Sequence, residues 1–130
     1  MVDRLLTNIM VGDLQASRDF YVGLLDLKLH FESDWYVILT DREARRFELG
    51  LIDRGSDLIP AAQQARPAGA YLTFVVSDAD AVYRRALDRN CEILQAPRDE
   101  FYGQRRFLTL DPDGLMIDIS APTAPPPQDM

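Results

Sequence analysis

The sequence is short of cysteine and of long apolar runs, and each shortage excludes a class of protein. Cys91 is the single cysteine among 130 residues, so the chain can form no internal disulfide and suits a reducing compartment. No stretch approaches the roughly 20 apolar residues that span a bilayer. The first residues also lack the apolar run and cleavage site of a signal peptide. We therefore expect a cytoplasmic protein that does not bind membranes.

Positive charge is also scarce. The chain has 14 Lys and Arg against 21 Asp and Glu, which gives a formal net charge of -7. Because Lys and Arg dominate phosphate binding, we expect no nucleic-acid partner. What is present, 47% hydrophobic and 27% charged residues over 130 positions, is typical of one soluble globular domain.

The first half of the chain predicts the order strand, helix, strand, strand, strand. Asp13 is a natural N-cap for an amphipathic helix over Leu14 to Leu25. Short apolar or alternating runs bounded by turn residues predict the strands. These strands cover Leu5 to Val11, Lys28 to Glu32, Trp35 to Thr40 and Arg46 to Ile52.

The second half repeats this order after a segment, residues 53–69, that is composed like a linker. The tetrapeptide Ser77-Asp78-Ala79-Asp80 is typical of a capping box, and it precedes a predicted helix over Ala79 to Arg89. The strands predicted around it are Ala70 to Val76, Cys91 to Leu94, Arg105 to Leu110 and Leu115 to Ser120.

An internal repeat relates the two halves. Asp78 follows Asp13 by 65 residues, whereas Asp111 follows Asp41 by 70, and we align Asp118 with Glu48 at that same offset. The five extra residues are assigned to a loop over Gln95 to Gln104.

The repeat predicts an α+β fold of two βαβββ modules in one domain over residues 1–120. Module one covers about residues 4–52, residues 53–69 link the modules, and module two covers about residues 70–120. Residues 121–130 contain three consecutive prolines and are predicted to be a disordered tail.

Segments of both modules carry a resemblance to one family. Asn8 to Leu14 with Ser17 to Tyr21, and Tyr102 to Phe107 with Asp111 to Asp118, resemble the N-terminal and C-terminal patterns of the vicinal oxygen chelate superfamily. This family is also described as glyoxalase, bleomycin-resistance and extradiol dioxygenase proteins. The resemblance covers residues 4–120 and implies curved mixed sheets around a cavity, with a homodimer as the expected assembly.

The resemblance also implies where a metal would bind. Family enzymes hold a divalent cation with one His, Gln or Glu from the first strand and one from the fourth strand of each module, which implies Leu6, Glu48, Tyr71 and Asp118. Neither Leu6 nor a neutral Tyr71 is a useful ligand, because divalent cations prefer imidazole nitrogens or carboxylates. We therefore predict no cofactor, with Glu48 and Asp118 as the ligands if a divalent metal is bound. The sole histidine, His30, lies in the second predicted strand.

Without a metal, the sequence is most similar in character to the bleomycin-resistance branch. That similarity implies a metal-independent protein that binds a small organic molecule, with antibiotic resistance by sequestering a drug-like ligand as the favoured role. A metal-dependent lyase or dioxygenase with an atypical site is the alternative, and a cavity-bearing module with neither role is a third. Catalysis is left open and is the less favoured reading; no catalytic residue is assigned.

Strand alternation predicts which side chains face the cavity. The Glu48 and Asp118 carboxylates could contact a cationic group of a ligand, or instead pair with Arg46 or Arg106. Aromatic side chains could stack on a planar ligand, with Phe101 and Tyr102 at the rim or in a lid. The candidate ligand-binding residues are Asn8, Met10, Trp35, Glu48, Tyr71, Thr73, Phe101, Tyr102, Arg106 and Asp118.

Overall fold

A computed structural model describes residues 1–123 and confirms the predicted α+β fold of two βαβββ modules. The chain divides into two compact units, Met1–Pro67 and Ala68–Met130. Among the described residues no helix has the length and apolar character that crossing a membrane requires.

Unit 1 holds the first module. Its elements are β1 (Thr7–Val11), α1 (Leu14–Leu25), β2 (Lys28–Glu32), β3 (Tyr36–Thr40) and β4 (Glu48–Asp53), followed by a single 3₁₀ turn at Ala61–Gln63. The sheet order is β1-β4-β3-β2, with β1 parallel to β4 and the other pairs antiparallel.

Unit 2 repeats this topology. Its elements are β5 (Leu72–Val75), α2 (Ala79–Asp88), β6 (Ile93–Asp99), β7 (Gln104–Leu110) and β8 (Met116–Pro122). The sheet order is β5-β8-β7-β6, with β5 parallel to β8.

Both helices begin at a capping aspartate. Asp13 was predicted as the cap of α1, whereas the cap of α2 is Asp78, one residue after the Ser77 that the predicted capping box implies. The Asp13 carboxylate accepts a hydrogen bond from the Ala16 N–H, and the Asp78 carboxylate accepts one from the Ala81 N–H, each at 3.0 Å. These bonds satisfy N–H groups that have no partner within the helix.

Each helix covers one face of its own sheet. Alternate side chains of each strand face the helix, because neighbouring residues of a strand point to opposite faces of the sheet. The core residues are Ile9, Val11, Phe20, Tyr21, Leu24, Val37, Leu39, Leu49 and Leu51 in unit 1, and Val82, Ala86, Phe107, Ile117 and Ile119 in unit 2. The opposite face of each sheet is called here the open face.

The prediction of a loop over Gln95 to Gln104 was wrong. Strand β6 continues to Asp99, and its residues pair with β7 through Gln95 opposite Leu108 and Arg98 opposite Arg106. Shifts of register within this pair accommodate the extra residues, so they lengthen a hairpin that turns at residues 100–103.

The predicted tail also begins too early. Ala121 is 7% exposed and lies with Pro122 in β8, because the strand continues to pair with β7 up to Gln104. Residues 124–130, the rest of the predicted disordered tail, lie outside the described residues.

The register corrects the alignment of the fourth strands. Asn8 lies opposite Gly50 in unit 1, and Thr73 lies opposite Asp118 in unit 2. The counterpart of Asp118 is therefore Gly50 and not Glu48. The cause is the β3–β4 connection, residues 41–47, which is two residues longer than the β7–β8 connection, residues 111–115.

Candidate functional site

The open face of unit 2 carries a cleft of about 550 Å³, called here the unit 2 cleft. Strands β5, β7 and β8 supply most of its side chains. It is lined by Tyr71, Thr73, Val75, Tyr102, Gln104, Arg106, Asp118 and Ser120. Five of the ten candidate ligand-binding residues therefore meet in one place: Tyr71, Thr73, Tyr102, Arg106 and Asp118.

Asp118 is a buried carboxylate at the floor of this cleft, with 4% of the residue exposed. Its Oδ1 accepts a hydrogen bond from Ser120 Oγ at 2.9 Å, and its Oδ2 accepts one from Thr73 Oγ1 at 3.0 Å. Arg106 Nη1 lies at 3.5 Å from the same Oδ2. Three side-chain donors therefore surround this carboxylate, and their hydrogen bonds offset the free-energy cost of burying an acidic group.

Arg106 lies between two carboxylates. Besides Asp118, its Nε is 3.6 Å from Glu100 Oε1. Burial would lower the pKa of the Arg106 guanidinium, but the nearby Asp118, Tyr102 and Glu100 outweigh it and raise this pKa. The sequence-based alternative, a salt bridge between Asp118 and Arg106, is what the structure contains.

Glu100 extends this network away from the cleft. Its Oε1 accepts a hydrogen bond from Arg98 Nε at 2.7 Å and one from Gln95 Nε2 at 3.3 Å. The Arg98 bond, more than the opposing effect of burial, lowers the pKa of Glu100. Two carboxylates and two guanidinium groups thus balance each other around Arg106.

Two polar atoms at the cleft have no hydrogen-bond partner in the described part of the chain. They are Gln104 Oε1, an acceptor, and Arg106 Nε, a donor, and both atoms are buried. The residues stand two positions apart on β7, so their side chains leave the same face of the sheet. Gln104 and Ser120 were missed from sequence, although this alternation from Arg106 and Asp118 could have found both.

The aromatic side chains predicted at the site divide between the cleft and its surroundings. Tyr71 is 51% exposed and Tyr102 is half-buried, and both line the cleft. Phe101 is 99% exposed and packs edge-on against Tyr102, with 5.3 Å between ring centroids. Phe101 therefore lies beside the cleft and not in its lining.

Three other candidates belong to unit 1. The Tyr36 hydroxyl donates a hydrogen bond to Asn8 Oδ1 at 2.6 Å on the open face. Trp35 stacks on the Tyr36 ring at 5.4 Å, and Met10 follows Asn8 on the same face of β1. Burial raises the pKa of the Tyr36 hydroxyl.

Glu48 lies in unit 1 and forms an ion pair that the sequence did not predict. Its carboxylate accepts two hydrogen bonds from Arg4, the one from Nε at 2.7 Å, and Arg45 Nε lies at 3.6 Å. The Arg4 hydrogen bond lowers the pKa of Glu48, whereas burial opposes it. The predicted partner Arg46 was wrong, because the Arg46 side chain and backbone bond Asp41 instead.

These residues do not fit the metal-ligand set that the resemblance implies. The register pairs Asp118 with Thr73, and one step beyond β1 it places Leu6 opposite Glu48, so each strand pair offers one carboxylate. Hydrogen bonds already engage both carboxylates. Residues 1–123 contain no cluster of three or more His, Cys, Asp or Glu side chains that could hold a metal ion.

The family model described as "Glyoxalase/Bleomycin resistance protein/Dioxygenase superfamily" matches residues 3–119. No curated protein sequence matches significantly.

Solved structures share the fold. A superfamily member from Sphaerobacter thermophilus DSM 20745 is 21% identical, with a TM-score of 0.73 and 93% of this chain and 98% of that chain covered. A glyoxalase-related enzyme from Fulvimarina pelagi is 20% identical, with a TM-score of 0.75 and coverage of 92% and 88%. TioX from Micromonospora sp. ML1 is 16% identical, with a TM-score of 0.71 and coverage of 94% and 98%. At these identities the likeness establishes the fold alone.

Proposed function

The chain belongs to the glyoxalase/bleomycin resistance protein/dioxygenase superfamily, and from that premise we propose that it binds a small organic molecule without a metal. The unit 2 cleft is the proposed binding site, and sequestration of a drug-like molecule is the proposed role. The observation that carries this proposal is the hydrogen-bonded Asp118 at the floor of a cleft walled by tyrosines.

The state of Asp118 favours binding over catalysis. A general base needs a carboxylate oxygen that can take a proton from a substrate. Both Asp118 oxygens instead accept hydrogen bonds from Thr73 and Ser120, with Arg106 alongside. The carboxylate therefore fixes the side chains of the cleft in position, which suits a preorganised binding surface.

A thermal-shift screen with planar drug-like compounds tests the proposed binding. A compound present at about one hundred times its Kd stabilises a protein by about 2.7 kcal/mol, which is a readily measured rise in Tm. We expect the Tyr71→Ala variant to lose most of that rise. Leu87→Ala is the control, because Leu87 is 48% exposed, about as much as Tyr71, and lies on α2, outside the lining of the cleft. An equal loss in both variants, or no stabilisation by any compound, would contradict the proposal.

The metal-dependent alternative, a lyase or dioxygenase, has its own measurement. Elemental analysis of purified protein is expected to find no stoichiometric Ni, Zn, Fe or Mn. Retention of one such metal per chain, and its loss from Glu48→Gln or Asp118→Asn, would overturn metal-independent binding. Glu43→Gln serves as the control, because Glu43 lies on the exposed β3–β4 connection.

We also propose a cytoplasmic homodimer. The single cysteine supports a reducing compartment. Large apolar side chains that are exposed in the single chain, including Phe31 and Tyr71, support a contact with a second copy.

A further inference from the structure

Two side chains that line the unit 2 cleft each carry a buried polar atom that forms no hydrogen bond within residues 1–123. Gln104 Oε1 and Arg106 Nε are the two atoms, and they come from side chains on the same face of β7. Arg106 Nε lies 3.6 Å from Glu100 Oε1, which is an ion pair but is longer than a hydrogen bond. A buried polar group without a hydrogen-bond partner destabilises the folded protein, because it has given up its hydrogen bonds to water. A ligand that hydrogen-bonds to both side chains would remove this destabilisation. The pair therefore calls for a ligand with a donor for Gln104 next to an acceptor for Arg106.

The charged side chains of the cleft indicate the net charge of the ligand. The charged side chains of the lining are Arg106 and Asp118, which face each other at 3.5 Å. Glu100 lies behind Arg106 and is itself held by Arg98. Since each charge has an opposite charge beside it, an added cation or anion would meet one repulsive partner for each attractive one. The balance favours a neutral ligand.

The aromatic walls describe the shape of the ligand. Tyr71 and Tyr102 line the cleft, and tyrosine rings offer apolar faces on which planar groups stack. Resting on the proposed binding function, we infer that the unit 2 cleft selects a neutral planar ligand whose edge carries an N–H beside a carbonyl oxygen. The ligand N–H donates to Gln104 Oε1, and the ligand carbonyl accepts from Arg106. Cyclic amides and imides have this edge.

Three planar probes of similar size test the inference by NMR titration of the full chain. Oxindole carries both the N–H and the carbonyl, N-methyloxindole keeps only the carbonyl, and N-methylquinolinium is cationic. We expect oxindole to shift the resonances of cleft residues and to bind about tenfold more tightly than N-methyloxindole, as one hydrogen bond allows. We expect N-methylquinolinium to bind more weakly than oxindole.

The Gln104→Leu variant identifies the acceptor. It removes the amide oxygen but keeps a side chain of similar size, so the preference for oxindole over its N-methyl form is expected to fall to about one. Gln63→Leu is the matched control, since Gln63 is an exposed glutamine of unit 1, and it is expected to keep the full preference. A preference that survives in Gln104→Leu would overturn the inference.

The outcomes separate this inference from the proposed function. Equal binding of the two oxindoles in the cleft, or tighter binding of N-methylquinolinium, overturns the amide edge and leaves the binding function standing. If no probe shifts a cleft resonance up to its solubility limit, the inference is overturned. The thermal-shift screen then decides the binding function independently.

Discussion

Equivalent positions of the two open faces carry different side chains, and these are connected by different hydrogen bonds in the two units. Asn8, Gly50 and Tyr36 in unit 1 occupy the register positions of Thr73, Asp118 and Arg106 in unit 2. In unit 2 the Asp118 carboxylate accepts hydrogen bonds from both Thr73 and Arg106. In unit 1 the Tyr36 hydroxyl crosses the space above Gly50 and bonds Asn8 directly.

Gly50 is required for this crossing. A Cβ at position 50 would lie 1.9 Å from Asn8 Oδ1 and 2.7 Å from the Tyr36 hydroxyl oxygen. Gly50→Ala is therefore expected to separate the two side chains and to lower the free energy of unfolding by about 1–3 kcal/mol. Urea denaturation measures this change, and a second substitution, Asn8→Ala, is expected to restore part of it.

Gly55→Ala is the control for Gly50→Ala. A Cβ at Gly55 would meet only Asp53 Oδ1, at the ordinary distance of 3.5 Å. Its effect is expected to stay within about 0.5 kcal/mol. Equal effects of the two substitutions would show that the Asn8–Tyr36 contact does not depend on the glycine.

The ion pair of Glu48 predicts a pH dependence of stability. Arg4 lowers the pKa of Glu48 in the folded chain below its ordinary value of 4.5. The pair therefore stabilises the fold fully above the unfolded-state pKa, and this stabilisation is lost as the pH falls through the lower folded-state pKa. We expect wild type to exceed Glu48→Gln in Tm at pH 7, and the gap to close on acidification.

Glu43→Gln controls for the loss of one negative charge. Glu43 is exposed, so its replacement is expected to leave Tm nearly unchanged at pH 7. A gap between wild type and Glu48→Gln that is constant from neutral pH to acid would contradict a role for the Arg4–Glu48 pair.

At the scale of elements, the capping aspartates make the helices separately testable. Asp78→Ala removes the acceptor for the Ala81 N–H and is expected to lower the free energy of unfolding by about 1 kcal/mol. Asp78→Ser keeps a capping oxygen and is expected to recover most of the loss. Thermal denaturation followed by circular dichroism measures both.

Asp88→Ala is the control at the opposite end of α2. Asp88 is the last residue of the helix, where a negative charge interacts unfavourably with the helix dipole. Its removal is expected to leave the fold equally or slightly more stable. A loss as large as that from Asp78→Ala would show that the cap is not the cause.

Local signals explain which elements could be predicted from sequence. Capping residues and periodicity located both helices to within a residue, since helix formation depends on nearby side chains. The loop assigned to Gln95 to Gln104 failed because Pro97 and several charged residues weaken a strand pattern. Pairing with β7, which no local pattern encodes, decides the conformation of that segment.

The candidate site was partly predictable for the same reason. Alternation along β5 and β8 was enough to bring Thr73 and Asp118 onto one face. The Arg4 partner of Glu48 was missed, because the two residues are 44 positions apart and only the β1–β4 pairing brings them together. The sequence alignment paired Asp118 with Glu48 and not with Gly50, because the β3–β4 connection is two residues longer than the β7–β8 connection.

At the scale of the whole molecule, the exposed apolar side chains of the open faces predict self-association. Tyr71 is 51% exposed in the single chain, on the open face of unit 2. If the open faces take part in a homodimer, light scattering is expected to report twice the 14.8 kDa mass of one chain. Tyr71→Asp is expected to shift the population toward monomers, because a contact between copies would bury the new charge.

Leu87→Asp provides the control for the dimer prediction. Leu87 is 48% exposed, about as much as Tyr71, but it lies on α2, on the side of the sheet opposite the open face. The Leu87→Asp protein is expected to keep the mass of a dimer. A monomeric wild type would contradict the dimer itself. A dimer that dissociates with Leu87→Asp and survives Tyr71→Asp would place the contact on the helical side.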